Sequence, residues 1–271
     1  MIEMSGILVI GERLNSSTQA VKKLLQERDR NALLKLAGAQ VTGGASFIDI
    51  NASMLMDSEE EALVWCARSI RKELGTGVSL DSPNLDLLLK VIPEFGEDAI
   101  LNSLTSDEDV LLRACPVLAD SGAGVVVMLK SREGVPGTVE GKLRLAEMAT
   151  MKLSGAGIVA EKVFLDPVFS PLATSPGGLS SVLETIAELG KHFPDFQRIG
   201  GLSNISFGLP LRRLLNRTFL SMAVCCGLTA AICDPTDVRL METLRASEAI
   251  TGLDKGCRNF LQFYRTMQKP H

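Results

Sequence analysis

The stretch Phe47–Asn84 reads FIDINASMLMDSEEEALVWCARSIRKELGTGVSLDSPN. It opens on a short apolar, β-branched run, Phe47–Ile50, and closes on another, Val78–Leu80. Between them, Ser58–Leu74 begins with a serine and an acidic first turn, places Ala62, Trp65, Cys66 and Ile70 on one stripe, and ends with Arg71 and Lys72. A helical period with acids at its start and cations at its end predicts an amphipathic helix between two strands. Strand, helix and strand in that order form the repeating unit of a parallel sheet.

Working outward, similar apolar runs recur at Ile7–Ile10, Ala99–Leu101, Val125–Leu129, Val163–Leu165, Arg198–Leu202 and Ala230–Cys233. Eight strands in 271 residues leave roughly 34 residues per unit, the length of a strand, a turn, a helix and a return turn. Ser106–Asp109, Thr138–Glu140 and Pro235–Asp237 have the residue types that open helices. The pattern predicts an α/β fold, a single (β/α)8 TIM barrel. A doubly wound sheet fits the alternation too, but no phosphate-type glycine turn follows the first strand, so the barrel is preferred. No linker or composition shift divides the chain, which reads as one domain over residues 1–271. Gly256–Lys269 reads as an appended helix that closes the barrel floor or joins a partner subunit.

Composition excludes several classes. Hydrophobic residues make up 46% of the chain and aromatics 4%, as in a compact globular protein rather than a disordered one. The net charge is −4 with no basic block, which argues against nucleic acid or a polybasic membrane anchor as partner. Six cysteines without a C-x-x-C spacing read as small buried apolar residues in a reducing compartment. The N-terminal stretch carries Glu3 and Glu12 around a very short apolar run, unlike a signal peptide, and Thr218–Cys233 is too short to span a membrane. A cytoplasmic protein is expected.

Barrel enzymes take their reactive groups from the carboxyl ends of the strands. Here those ends read Gly11–Asn15, Asp49–Asn51, Asp81–Asn84, Asn102–Ser103, Lys130, Asp166–Pro167, Ser203–Asn204 and Asp234–Pro235. Nearly every strand ends in a carboxylate or a carboxamide. Asp and Asn at such places often cap the following helix, but Ser58 follows Asp49 and Asp107 follows Asn102 as better placed caps. A ring of carboxylates and carboxamides suits a neutral heteroaromatic ligand with an amidine edge, because an ionised Asp accepts two N–H bonds side by side. A pterin has such an edge.

The strings GERLN (Gly11–Asn15), DINAS (Asp49–Ser53), LDSPN (Leu80–Asn84), LNS (Leu101–Ser103), LDP (Leu165–Pro167), GGLSNIS (Gly200–Ser206) and LNRTFL (Leu215–Leu220) run in the order and spacing of the pterin-binding methyltransferases. From Ile7 to Thr236 the chain resembles the methyltetrahydrofolate:corrinoid-protein methyltransferases, relatives of the folate module of cobalamin-dependent methionine synthase. GLSN with LNRTFL is the most specific part. The resemblance implies that Asp81, Asn102 and Asp166 hold the amino-pyrimidinone side of the pterin and that Asn204 faces N5, the nitrogen bearing the methyl group. Glu12, Asn15 and Asp49 fall in matched motifs and are expected to support the site, and Arg212 matches an arginine near the ligand. At Phe207 the family pattern has a glutamine, so polar contacts beside Asn204 are not carried over. The implied substrate is tetrahydrofolate or 5-methyltetrahydrofolate. The implied partner is a corrinoid protein carrying the cobalamin, and a homodimer is expected, with Leu211–Leu228 and Asp237–Ile250 as candidate interface segments.

In that chemistry N5 is a poor leaving group unless it is protonated or strongly hydrogen-bonded, and Asn204 can strengthen such a contact toward the transition state. Asp81 and Asp166 would influence the charge of the ring; no His or Glu is assigned as an acid. His192 and His271 are the only histidines, so a histidine metal site is not expected, nor any bound metal. Gly155–Ala160 matches a dinucleotide-type glycine pattern but lies before a strand instead of after one. Cys225 and Cys226 read as core cysteines on an apolar helix. The alternatives are a dihydropteroate synthase-like enzyme and a non-catalytic pterin-binding subunit of a corrinoid complex. Transfer direction and the choice between tetrahydrofolate and tetrahydromethanopterin stay open at this level.

Overall fold

A computed structural model describes residues 6–175 and 178–267. Eight parallel strands run β1 Leu8–Asn15, β2 Phe47–Asn51, β3 Gly77–Asp81, β4 Ala99–Thr105, β5 Gly124–Met128, β6 Val163–Asp166, β7 Gln197–Arg198 and β8 Ala230–Cys233. Their order is β7-β6-β5-β4-β3-β2-β1-β8. The last seam is closed by backbone bonds from Thr229 N to Arg198 O (3.0 Å) and from Ile232 N to Gly200 O (3.1 Å), with Gly201 bridged in parallel to Ile232. The expected barrel is therefore observed. Its helices are α1 Gln19–Glu27, α2 Arg30–Thr42, α3 Glu59–Leu74, α4 Leu85–Val91, α5 Glu108–Ser121, α6 Val139–Gly155, α7 Ser180–His192, α8 Arg212–Cys225, α9 Val238–Ile250 and α10 Arg258–Met267.

Strand side chains alternate between two faces, and here the faces make two cores. Val9, Ile48, Ile50, Val78, Leu80, Leu101, Val125, Val127, Val163 and Leu165 belong to the outer core under the helices. Leu8, Ile10, Ile100, Val126, Phe164, Ile199 and Ala230 fill the barrel interior, with Phe47 and Ile232 against them. The phase then fixes what stands above the interior core. Two residues beyond Ile10, Phe47, Ile100, Phe164 and Ile232 come Glu12, Asp49, Asn102, Asp166 and Asp234. Apolar residues plug the barrel from below and acids or amides crown it.

Several elements depart from the sequence reading. Strand β1 continues past Ile10 to Asn15 across a register shift between Gly11 and Leu14. Strand β7 is two residues long instead of spanning Arg198–Leu202, because the chain turns into a single 3-10 turn, Leu202–Asn204. Thr138 and Asp237 cap α6 and α9 as expected, whereas the side chains of Ser58 and Asp107 make no cap bond to α3 or α5. Asp107 instead accepts from Thr105 Oγ1 (2.6 Å) and Arg132 N (3.0 Å). Cys66, Cys115 and Cys233 are buried, but Cys225 and Cys257 are exposed, so the reading of all six as core residues is wrong for those two. His192 ends α7. Helix α10 packs on α9; its expected end at Lys269, like His271, lies outside the described residues.

Candidate active site

Above the interior core lies a cavity of about 920 Å3 at the carboxyl ends of the strands. Glu12, Asn15, Asp49, Asp81, Asn102, Asp166, Asn204 and Arg212 all line it. Residues as far apart in the chain as Glu12 and Asn204 thus meet at one opening because parallel strands all end on the same side.

The deep wall is a chain of hydrogen bonds across β2, β3 and β4. Register pairs Asn51 with Asp81 and Asp81 with Asn102. Asp49 accepts from Ser79 Oγ at 2.5 Å and from Asn102 Nδ2 at 3.1 Å. Asp81 accepts from Asn51 Nδ2 at 2.8 Å. Asn102 spends its N–H on Asp49, so its Oδ1 is left as an acceptor for the cavity. Asp81 Oδ1 and Asp166 Oδ2 likewise have no hydrogen-bond partner among the described residues, while Asp166 Oδ1 accepts from Val168 N at 2.8 Å. The cavity is therefore offered acceptors by Asp81 and Asn102 on neighbouring strands and by Asp166 two strands beyond Asn102, and this calls for a ligand edge rich in N–H donors.

Burial raises the pKa of each acid. Asp49 is pushed well above the usual carboxylate range by burial and then by the neighbouring Asp81 charge, against the bonds from Ser79 and Asn102. Asp81 rises for the same reason of burial, with Asn51 pulling it down and Glu59 pushing it up. Asp166 is raised to about 6 by burial, opposed by the Val168 N–H and by Lys142 and Lys130.

The other side of the opening is built by β1 and the loop after β7. Glu12 Oε1 accepts from Ser203 Oγ at 2.5 Å. Burial lifts Glu12 to about 7, with the Ser203 bond lowering it, Asp234 raising it, and Arg212 and Arg13 lowering it. Arg212 donates from Nε to Ser206 Oγ (3.1 Å) and from Nη2 to Ser203 O (2.9 Å). It ties down the loop that carries Ser203 and Asn204, which accounts for a cation in the first turn of a helix. Asn204 sits on the 3-10 turn, exposed, and its carboxamide has no partner among the described residues. Asn15 accepts from Ser17 N at 2.9 Å, a turn-forming role at the rim. Phe207, 68% exposed, stands one turn from Asn204 with its N–H on Asn204 O (3.2 Å).

All eight expected site residues come together, and further ones join them. Asn51, Ser203 and Asp234 were readable as strand ends, although no role followed from that position. Ser79 and Met128 share the inward phase with Asp81 and Asp166, and that parity was the signal available for them. Arg13 pairs with Thr236 Oγ1 (2.9 Å) and Asp234 (3.6 Å) across the β1–β8 seam, a contact no local motif announces. Among the described residues no group of three His, Cys, Asp or Glu side chains could hold a metal ion, and no helix is long and apolar enough to cross a membrane.

Comparison with known proteins agrees with this geometry. Over 261 residues the chain is 30% identical to a methylcorrinoid:tetrahydrofolate methyltransferase of Eubacterium limosum, covering 96% of each chain. It is 26% identical to methionine synthase of Mycobacterium tuberculosis, covering 92% of this chain but 22% of that longer protein. Dihydropteroate synthases share the fold: that of Coxiella burnetii in complex with pteroic acid gives a TM-score of 0.69 at 18% identity over 93% of this chain and 95% of that one. The Yersinia pestis enzyme gives 0.68 at 18% over 91% and 93%. The family model described as "Pterin binding enzyme" matches residues 11–234, from within β1 to just past β8, and the chain belongs to that family.

Proposed function

We propose that this protein is a methyltransferase that moves a methyl group between the cobalt of a separate corrinoid protein and N5 of tetrahydrofolate. One observation carries the ligand: the acceptors Asp81, Asn102 Oδ1 and Asp166 line the same cavity. A 2-amino-4-oxopteridine presents N–H groups along one edge, and an ionised Asp166 can accept two of them side by side. With that edge seated deep, N5 faces the loop of Asn204, whose unpartnered carboxamide can bond the nitrogen as its charge changes. A contact that strengthens toward the transition state raises the rate rather than the affinity. Asp49 keeps Asn102 turned with its oxygen inward, and Asn15 and Arg212 shape the rim.

The Eubacterium limosum relative has a methylcorrinoid as donor in its name, and the same direction, toward tetrahydrofolate, is our reading for this chain. The cobalamin belongs to the partner, so the rim is a transient docking surface. A homodimer is proposed through α8 and α9, which expose Leu214, Met222, Val238 and Ile250. The whole chain acts as one cytoplasmic barrel domain in this reading. A dihydropteroate synthase-like activity is the alternative, and its support is likeness of fold alone.

The test is an absorbance assay in which protein, tetrahydrofolate and a methylated corrinoid protein are mixed anaerobically. Loss of the methylcobalt band with appearance of 5-methyltetrahydrofolate is expected. Pterin binding without transfer, under the same conditions and in both directions, would reduce the protein to a non-catalytic carrier.

A further inference from the structure

The transfer proposed above does not balance without a proton acceptor. When the secondary amine N5–H attacks the methyl carbon, the N–C bond forms and the Co–C pair stays on cobalt, reducing it by two electrons. N5 becomes a tertiary ammonium and must lose its proton. Asn204 cannot take it, because a carboxamide does not titrate in this range. Asp81 and Asp166 belong to the wall that grips the far edge of the ring, and His192, at the end of α7, lines no part of this cavity.

Resting on that methyltransferase reading, we infer that Glu12 is the acid–base residue of the reaction, taking the N5 proton in the forward direction and returning it in reverse, with Ser203 as its positioning residue. Three observations support this. Glu12 stands on the inward phase of β1 and lines the cavity. Its carboxyl is tied to Ser203 Oγ, and Ser203 is the chain neighbour of Asn204, so acid and carboxamide border the same corner. That bond occupies Oε1 and leaves Oε2 without a partner among the described residues, available to the substrate. The environment fits: burial holds the Glu12 pKa at about 7, where both protonation states are populated at neutral pH. The charged groups around it are Asp234 at the end of β8, Arg212 of α8, Arg13 on β1 itself, and Asp49 of β2, whose own pKa Glu12 raises in return. Cys233 of β8 is buried and neutral, its thiol pushed up by burial.

The experiment is single-turnover transfer, measured against pH from 5.5 to 8.5 at saturating folate, for wild type, Glu12→Gln and Ser203→Ala. Wild type is expected to transfer methyl to tetrahydrofolate faster as pH rises through ~7, where the carboxylate becomes available. Glu12→Gln should lose that inflection and slow by about 10²-fold or more, with calorimetric affinity for tetrahydrofolate within a few-fold of wild type. Ser203→Ala removes a bond that favours the carboxylate, so its inflection should move to higher pH while transfer persists. A Glu12→Gln variant with wild-type rate and pH profile overturns the inference, as does one that loses affinity while its saturated rate is unchanged. A Ser203→Ala profile with its inflection unmoved removes Ser203. Wild type inert at every pH would sink the methyltransferase reading itself, a result distinct from both.

Discussion

Replacing Gly200 with alanine tests how the barrel closes beside its candidate catalytic loop. A Cβ built on Gly200 would lie 2.3, 2.4 and 2.6 Å from Cζ, Cε2 and Cε1 of Phe169. Carbon atoms pack at ~3.5–4.0 Å, so ring and strand would have to part by roughly 1 Å. Neither is free to do so. Phe169 is 3% exposed and meets Phe219 edge to face, with centroids 5.0 Å apart and planes at 82°. Gly200 O accepts from Ile232 N at 3.1 Å, one of the bonds that close β7 on β8. Overpacking costs about 1–3 kcal/mol, and confinement on both sides places this case in the upper half of that range. At ~2–4 °C per kcal/mol for a protein of this size, Tm should fall by roughly 4–12 °C. Phe169→Leu alone should cost about 1–2 kcal/mol as a large-to-small change, yet it also removes the edge that the new methyl strikes. Gly200→Ala/Phe169→Leu should therefore be more stable than the sum of its parts by about 1–2 kcal/mol. Urea unfolding of the four proteins, followed by circular dichroism, measures the coupling. Additivity within about 0.5 kcal/mol, or a Gly200→Ala protein as stable as wild type, would refute the packing argument.

Other expectations follow from the same contacts. Asp166→Asn cannot accept two N–H bonds side by side and should weaken tetrahydrofolate binding by about 10-fold or more, with calorimetry as the readout. Asn204→Ala should leave affinity nearly unchanged and lower single-turnover transfer by ~10²-fold, as for loss of one donor at a developing charge. Glu248 is fully buried and accepts from Ile7 N at 2.7 Å and Arg245 Nη1 at 2.8 Å, so Glu248→Ala should destabilise by about 2–4 kcal/mol in urea titration. Glu12 and Asp166 have folded pKa values of about 7 and about 6, above their unfolded values of 4.5 and 3.8. Folding then takes up protons, and the stability these acids confer at low pH is lost as pH rises from ~4 to 7. Glu12→Gln should be more stable than wild type at pH 8 by about 1–3 kcal/mol and level with it near pH 4; equal slopes would exclude the buried-acid explanation.

The sequence carried those features that depend on local period and strand ends. Phe47–Ile50 and Val78–Leu80 around Ser58–Leu74 are legible because apolar period and end charges agree, and Asp49, Asp81, Asn102 and Asp166 because each follows an apolar run. What escaped depends on contacts between distant segments. Position 200 is glycine where Phe169, about thirty residues upstream, fills the space a Cβ would take, a contact that no local pattern announces. Asn102 was readable as donor or acceptor, and only the register that brings Asp49 within 3.1 Å fixes its oxygen toward the cavity. Glu12 looked like one acid among several until burial, Ser203 and Asp234 were seen to converge on it. Cys225 lies on an apolar stretch of α8, but helical phase turns it outward.

The same alternation of strand side chains explains how the barrel tolerates so many acids in its mouth. The outer core under the helices is apolar around the whole circumference, and the interior plug below the mouth is apolar too. The apolar cores supply the stability, which leaves the residues of the crown to serve binding. The crown still has a cost: the neighbouring charge of Asp81 adds to burial in raising Asp49, and acceptors on Asp81, Asn102 and Asp166 lack partners among the described residues. A ligand that donates N–H bonds to them relieves unmet acceptors and stabilises the ionised forms together, so its affinity comes from groups the empty barrel holds at a disadvantage. Glu12 stands apart from that wall and is held through Oε1 by Ser203 without any ligand. An acid already held in place, titrating near neutrality, is suited to exchanging a proton with a substrate gripped by others.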